Sequence, residues 1–227
     1  MNTRLSCDNL NRMALPRIAT FSVVAFDATT RAWGVAAQSC FLAVGSVVPW
    51  AAAGVGAVAT QAVANPRFGP LGLAMLGQPL SADETVAALI AGDPGRAMRQ
   101  VGVVDRRGAA AAYTGPECPG WAGHIVTEHC CCQGNILAGE EVVEAMANTF
   151  ATERELAFPE RLVAVLAAGQ AAGGDTRGQQ SAALLVVRAG GGYAGYSDRA
   201  VDLRVDDHTT PIDELGRLLR LHRQVFG

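Results

Sequence analysis

The chain has 227 residues, of which half are hydrophobic, and it carries a formal net charge of -3 at pH 7. This length and composition can bury a substantial single core, and the nearly balanced charge predicts neither nucleic-acid nor anionic-membrane binding. All 18 basic side chains are arginine, which excludes a Schiff-base lysine, a pyridoxal-phosphate anchor and a P-loop lysine, because each needs an ε-amine.

The first 19 residues read as a flexible leader. They lack the apolar stretch of a secretory signal, and no apolar run in the chain reaches the roughly 18 residues that span a bilayer. Met13 is an alternative start. We therefore expect a cytoplasmic protein with no membrane partner.

After the leader, strands are predicted over 20–27 and 32–38, and a glycine-alternating strand over 54–61. Two helices follow, and the second begins at a capping box formed by Ser81 and Glu84. The next predicted elements are a hairpin over 100–113, a Gly- and Pro-rich loop over 114–123, and a strand over 124–132.

The second half of the chain predicts helices over 140–152 and 159–172, then strands, then a final helix. The strands lie over 182–187, 193–196 and 201–205, and the helix over 211–226. Blocks of strands and helices favour antiparallel sheets with helices stacked outside, not alternating βαβ units. Two sheets between two helical layers fit this order, in one domain over 20–227.

The six cysteines include three in succession, Cys130, Cys131 and Cys132. Their side chains would alternate between the two faces of a strand, so we expect buried thiols and no metal site. Cys40 is an alternative nucleophile that His124 or His129 could activate, although a structural strand cysteine is the simpler interpretation.

Thr20 opens the first strand and shares a face with Ser22. A hydroxyl residue at the head of such a hairpin is how self-processing amidohydrolases present their nucleophile. Threonine also favours strands in general, so this position alone does not decide between catalysis and structure.

Two short segments carry further polar candidates. Asp175 and Arg177 lie among glycines before an apolar strand, where the arginine could bind a substrate carboxylate or pair with the aspartate. Gln133 and Asn135 flank a glycine after a predicted strand, where an amide can supply an oxyanion-hole donor. A plain turn is the alternative. Gln61 ends the glycine-alternating strand.

An exposed strand with internal ion pairs is predicted over 202–206, because alternation places Asp202, Arg204 and Asp206 on one face. Asp206, Asp207 and His208 could ligate a metal, but they lack a spaced partner. We predict no metal and no cofactor.

Together these segments resemble a bacterial and archaeal domain-of-unknown-function family placed in the N-terminal nucleophile (Ntn) hydrolase superfamily. The resemblance runs in order through the whole chain after residue 19, in TFSVVA at 20–25, GVGAVATQ at 54–61, QGN at 133–135, GGDTRGQQSA at 173–182 and DLRVDDH at 202–208. It implies an α+β fold, a four-layer αββα sandwich with two mainly antiparallel sheets.

The resemblance also implies hydrolysis of an amide in a small-molecule substrate, with Thr20 as nucleophile and Asn135 as oxyanion donor. Gln61, Asp175 and Arg177 would then be rim residues that orient the amine or the substrate, and Gln133 would be a further substrate-binding residue. Sandwiches of this kind often associate, so by analogy we expect a homo-oligomer.

Residues 1–19 are a departure from related sequences. Those sequences look as if they begin Met-Thr, so that removal of Met would expose the threonine directly. An N-terminal nucleophile needs a free α-amine, so we expect cleavage of the Ala19–Thr20 bond, by attack of the Thr20 hydroxyl on the Ala19 carbonyl. The alternative is a non-catalytic ligand-binding or assembly module on the same fold.

Overall fold

The computed structural model describes residues 20–226, so the predicted leader over 1–19 lies outside the described residues. The described chain is a mixed α/β structure with two antiparallel sheets and five α-helices. The strands are β1 (Thr20–Asp27), β2 (Ala32–Ser39), β3 (Pro49–Ala52), β4 (Gly56–Ala62), β5 (Arg99–Asp105), β6 (Ala110–Thr114), β7 (Trp121–Thr127), β8 (Cys130–Leu137), β9 (Ser181–Val187) and β10 (Arg199–Val205). The helices are α1 (Phe68–Leu76), α2 (Ala82–Ala91), α3 (Glu141–Thr152), α4 (Phe158–Ala171) and α5 (Pro211–Phe226).

The larger sheet has six strands in the order β10-β9-β2-β1-β8-β7, and the smaller has four in the order β3-β4-β5-β6. Strand β1 is therefore central, with β2 and β8 on either side. A central strand is held by hydrogen bonds along both edges, so β2 and β8 together fix the position of β1 from Phe21 onward.

Three apolar clusters hold the elements together. One lies between the larger sheet and helices α3, α4 and α5. A second lies between the two sheets, and a third joins the smaller sheet to α1 and α2. Along β1, Phe21 and Val23 belong to the helix side while Val24 and Phe26 belong to the inter-sheet cluster. Because side chains alternate along a strand, Thr20 and Ser22 point toward the smaller sheet.

The predicted alternation of the three successive cysteines is confirmed. Cys130 and Cys132 face the helices with their sulfur atoms 3.7 Å apart, and Cys131 faces the other sheet. Burial raises the pKa of the Cys130 and Cys131 thiols well above the usual range, which keeps both protonated at neutral pH.

Two predicted elements are wrong. The single strand over 124–132 is instead the end of β7, a turn and the start of β8. His129 closes that turn in the left-handed region at φ 64°, without the Gly or Asn that normally signals such a turn. The predicted strand over 193–196 is an exposed 3-10 turn in which Ala194 also has a positive φ.

Among residues 20–226, every helix is too short or too polar to cross a lipid bilayer.

The predicted capping box of α2 is confirmed and gives a direct test of local stability. The Glu84 amide donates to the Ser81 hydroxyl at 3.2 Å, and the Glu84 carboxylate accepts from the Ser81 amide at 2.8 Å. Ser81→Ala should lower the free energy of unfolding by about 1 kcal/mol, because one amide at the helix start loses its acceptor. Urea denaturation measures this free energy. Ser81→Thr keeps the hydroxyl and should lose much less stability than Ser81→Ala. An equal loss in both variants would contradict the capping role.

Candidate active site at the head of strand β1

Thr20 lies at the start of β1, between the ends of its two neighbouring strands. It pairs with Ser39 of β2. On the other side Phe21 pairs with Gly134 of β8, which brings Asn135 alongside Thr20. Thr20, Ser22 and Asn135 have no exposed surface in the full-length chain. The nucleophile candidate and the predicted oxyanion donor are therefore brought together.

The carboxamide of Gln61, at the end of β4, joins the two sheets at this point. Its Nε2 donates to the Thr20 carbonyl at 3.1 Å and to Gln100 Oε1 at 2.8 Å. Its Oε1 accepts from the Ser22 hydroxyl at 2.6 Å. The Ser22 hydroxyl in turn accepts from Gln133 Nε2 at 2.7 Å. One glutamine thus fixes the main chain of Thr20 and the next side chain on the same face.

Asn135 contributes a second amide to the Thr20 main chain. Its Nδ2 donates to Gln100 Oε1 at 3.0 Å and to the Thr20 carbonyl at 3.4 Å. Asn135 Oδ1 and Gln133 Oε1 are buried acceptors without a donor in the described chain. Gly102 on β5 makes room for this cluster, because a Cβ there would lie 2.4 Å from Gln133 Oε1. Unpaired buried acceptors are costly and mark a place where a further donor would be stabilised.

The network extends from Gln100 toward the protein surface. Gln100 Nε2 donates to the Thr114 hydroxyl at 2.9 Å, and that hydroxyl lies 2.8 Å from Nδ1 of His124. Partial burial lowers the pKa of His124, so its ring is neutral at pH 7. A continuous chain of hydrogen-bonding groups therefore links the Thr20 carbonyl to an imidazole.

The loop that carries Asp175 and Arg177 closes the same end of the sheet. Asp175 Oδ2 accepts from the backbone N–H of Cys40 at 3.3 Å, and Cys40 directly follows Ser39, the partner of Thr20. The guanidinium of Arg177 pairs with Asp175 at 2.9 Å, which raises the pKa of Arg177. Asp175 is buried, whereas the Arg177 side chain keeps 35% of its surface exposed. The internal ion pair is thus formed, and the arginine still reaches solvent.

The expected position of two other residues is corrected. Gln61 was expected at the rim and Gln133 as a substrate-binding residue, but both have no exposed surface. Their donors are used inside the protein, on Thr20, Gln100 and Ser22. The sequence also left Gln100 and Thr114 unassigned. Gln100 could have been noticed as a polar residue at the head of the apolar strand β5. In the structure it pairs in register with Gln61.

The described residues do not form the alternative cysteine–histidine pair. The Cys40 thiol donates to the Arg177 carbonyl at 3.6 Å, while His124 pairs with Thr114. His129 pairs with the Gly108 carbonyl at 3.0 Å and packs against Phe26, at the far end of β1.

Within residues 20–226, no group of three or more His, Cys, Asp or Glu side chains is placed to hold a metal ion. The ion-paired interpretation of β10 is confirmed, because Asp202 pairs with Arg199 and Arg204 at 2.7 and 3.3 Å.

Five surface cavities lined by the described residues have volumes from about 230 to 480 Å³, and Thr20 lines none of them. The side chain of Thr20 is buried, with its polar neighbours already assembled around it.

Comparison with known proteins gives a family but no activity. A model described as a family of unknown function, DUF1028, matches residues 20–215. The crystal structure of protein SPO2555 from Silicibacter pomeroyi, of the same family, is 33% identical and superposes with a TM-score of 0.81, covering 89% of this chain and 88% of that one. No curated protein matches. The family match begins at Thr20 and takes in every strand, and on this evidence the chain belongs to the DUF1028 family.

Proposed function

We propose that the chain is an Ntn-type amidohydrolase whose nucleophile is Thr20 after removal of residues 1–19. The observation that carries the proposal is the position of Thr20, at the head of the central strand and under hydrogen bonds from Gln61 and Asn135. The family match, which begins at the same residue, supports it, because the part shared with relatives then starts with the nucleophile.

The packing order supports the finer description of the fold. Helices cover the outer face of each sheet and an apolar cluster lies between the sheets. This order is that of the four-layer αββα sandwich of Ntn hydrolases, and we propose that the fold is of this type.

The proposed maturation is an internal acyl transfer. The Thr20 hydroxyl attacks the Ala19 carbonyl, the peptide C–N bond breaks, and the Thr20 nitrogen takes up the hydroxyl proton. Water then hydrolyses the resulting ester, which releases residues 1–19 as a carboxylate and restores the hydroxyl. The product carries the free α-amine that an N-terminal nucleophile needs.

Turnover would repeat the same chemistry on a substrate. The α-amine of Thr20 takes the hydroxyl proton while the oxygen attacks the substrate carbonyl, and the proton then passes to the leaving amine. Water hydrolyses the acyl-enzyme. Asn135 donates to the Thr20 carbonyl at 3.4 Å, next to the reacting residue, and is the proposed oxyanion donor.

The unpaired acceptors have a role in this scheme. Asn135 Oδ1 lacks a donor in the described chain, and cleavage before Thr20 creates an α-amine, which carries more N–H donors than the peptide nitrogen it replaces. Gln61 and Gln133 would position Thr20 and Ser22 and would not touch substrate.

At the edge of the site, Arg177 is the proposed partner of a substrate carboxylate, held by Asp175. A small amide that carries a carboxylate is the substrate class that fits. By analogy with other sandwiches of this kind, we also propose a cytoplasmic homo-oligomer.

One observation favours the alternative, a non-catalytic ligand-binding or assembly module. Thr20 is fully buried. A chain that stays intact would keep the hydroxyl enclosed, so the fate of the Ala19–Thr20 bond separates the two functions.

The first prediction concerns that bond. Protein purified from its own cell should have an intact mass corresponding to residues 20–227, and Thr20→Ala should remain full length because it lacks the attacking hydroxyl. Thr20→Ser should still be processed. The matched control is Thr152→Ala, an exposed threonine at the end of α3, which should be processed like the wild type. A stable full-length wild-type chain would rule out the N-terminal nucleophile.

The second prediction concerns Asn135. The isosteric change Asn135→Asp removes the amide donors and should slow cleavage before Thr20 about 100-fold, the usual effect of losing one oxyanion donor. Time-resolved intact mass measures the rate of cleavage in freshly synthesised protein. The rate at which a β-lactone acylates Thr20 measures the reactivity of the mature site.

Asn148→Asp, on the exposed face of α3, is the matched control and should leave both rates unchanged. A folded Asn135→Asp protein that is cleaved and acylated at the wild-type rate would remove Asn135 from the mechanism.

A further inference from the structure

A cavity of about 480 Å³ opens at the opposite end of the larger sheet from Thr20. It lies where β1 ends at Asp27, where β9 ends, and where the chain passes from α3 into α4. Since β1 has eight residues, this end lies about 23 Å from Thr20 at the usual rise per residue. The cavity volume is within the range of roughly 300–1,000 Å³ that small-molecule sites occupy.

Three arginines line the cavity, and none has a carboxylate partner within the described chain. They are Arg154, Arg161 and Arg188, whereas six other arginines form ion pairs with Asp or Glu. Three like charges around one cavity repel one another unless an anion lies between them. Their guanidinium groups present fork-shaped donors that match a carboxylate or a phosphate.

Arg161 is held in place without using up its donors. Its guanidinium carbon lies 3.7 Å from the centre of the Phe150 ring, and its Nε and Nη2 donate to the Phe150 carbonyl. Its Nη1 has no acceptor in the described chain. Arg154 is tied by Nε to the Ala151 carbonyl at 2.9 Å, which leaves both of its terminal nitrogens for a ligand.

Neither acidic residue of the cavity forms an ion pair with these arginines within the described chain, and the nearby charge of Asp27 only partly offsets the burial that lowers the pKa of Arg161. Asp27 accepts from the backbone N–H groups of Thr29 and Thr30 and from the Thr30 hydroxyl, so its carboxylate closes the β1–β2 turn. Glu155 is exposed and forms no ion pair in the described residues. The formal balance of three arginines against two acids is positive.

The rest of the lining is apolar. Leu156, Phe158, Pro159, Val186 and Ala200 form most of the wall. Helix α4 also begins here, after Ala157, with no side chain capping its first amides, and the start of a helix favours negative charge.

We infer that this cavity is a second ligand site, separate from Thr20, for a small amphipathic organic anion. Its carboxylate or phosphate lies among Arg154, Arg161 and Arg188, and its short apolar part packs against Phe158 and Val186. The site does not depend on cleavage at Thr20 and would be present in the unprocessed chain.

Calorimetric titration of the purified protein with hexanoate, hexyl phosphate and uncharged hexanol tests the site. Both anions should bind, and hexanol should bind at least about tenfold more weakly because it forms no charge-assisted hydrogen bonds. The double variant Arg154→Gln/Arg188→Gln changes two exposed side chains and should weaken anion binding at least about tenfold.

The matched control is Arg67→Gln. Arg67 is an exposed arginine that precedes α1, forms no ion pair in the described chain and lies outside this cavity. The anion affinity of this variant should equal that of the wild type. Either order of affinity between the two anions supports the site and identifies the headgroup. The inference is overturned if neither anion binds the wild type, if hexanol binds as tightly, or if the double variant binds like the Arg67→Gln control.

Discussion

The arrangement around Thr20 depends on the side-chain amide of Gln61, buried between two sheets that otherwise meet through apolar residues. A buried amide costs free energy unless its donors and acceptor are paired. Gln61 meets this requirement with the Thr20 carbonyl, Gln100 and Ser22. These three hydrogen bonds form together only in one relative position of the two sheets. The Gln61 amide therefore fixes how the smaller sheet is placed over the head of β1.

This constraint explains why the candidate site is polar where the surrounding core is not. Four amide side chains from three strands, Gln61, Gln100, Gln133 and Asn135, converge on the first residue of the central strand. Most of their hydrogen-bonding capacity is used internally, which makes the cluster rigid. The acceptors left over, Asn135 Oδ1 and Gln133 Oε1, belong to side chains whose amide nitrogens bind the Thr20 carbonyl and the Ser22 hydroxyl, so unpaired acceptors lie in the same cluster as the proposed chemistry.

The two ends of β1 differ in exposure and in charge pairing. At Thr20 the site is enclosed, with Asp175 and Arg177 paired at its edge. At Asp27 the sheet opens into a cavity with an apolar wall and three arginines that have no acidic partner among residues 20–226. The strand between them is fully buried and acts as a rigid spacer, so a ligand at one end would meet no atoms of the other site.

The sequence alone determined what depends on local pattern. The alternation at Cys130–Cys132, the capping box at Ser81 and Glu84, and the succession of strand and helix blocks follow from side-chain period and terminal chemistry, which neighbouring residues decide. The sequence also singled out Thr20, Asn135 and the loop with Asp175 and Arg177. It did not reveal the turn at His129, because that residue adopts a left-handed conformation without the usual glycine or asparagine.

Tertiary structure decided the rest. Gln61 and Gln133 are interior residues, and Gln61 donates to Gln100 and to the Gln133 carbonyl, because pairing between residues about 40 to 70 positions apart depends on how sheets stack and leaves no local pattern. The same holds for Arg154, Arg161 and Arg188. They come from α3–α4 and from β9, and their shared cavity and lack of acidic partners exist only once those elements have packed against β1.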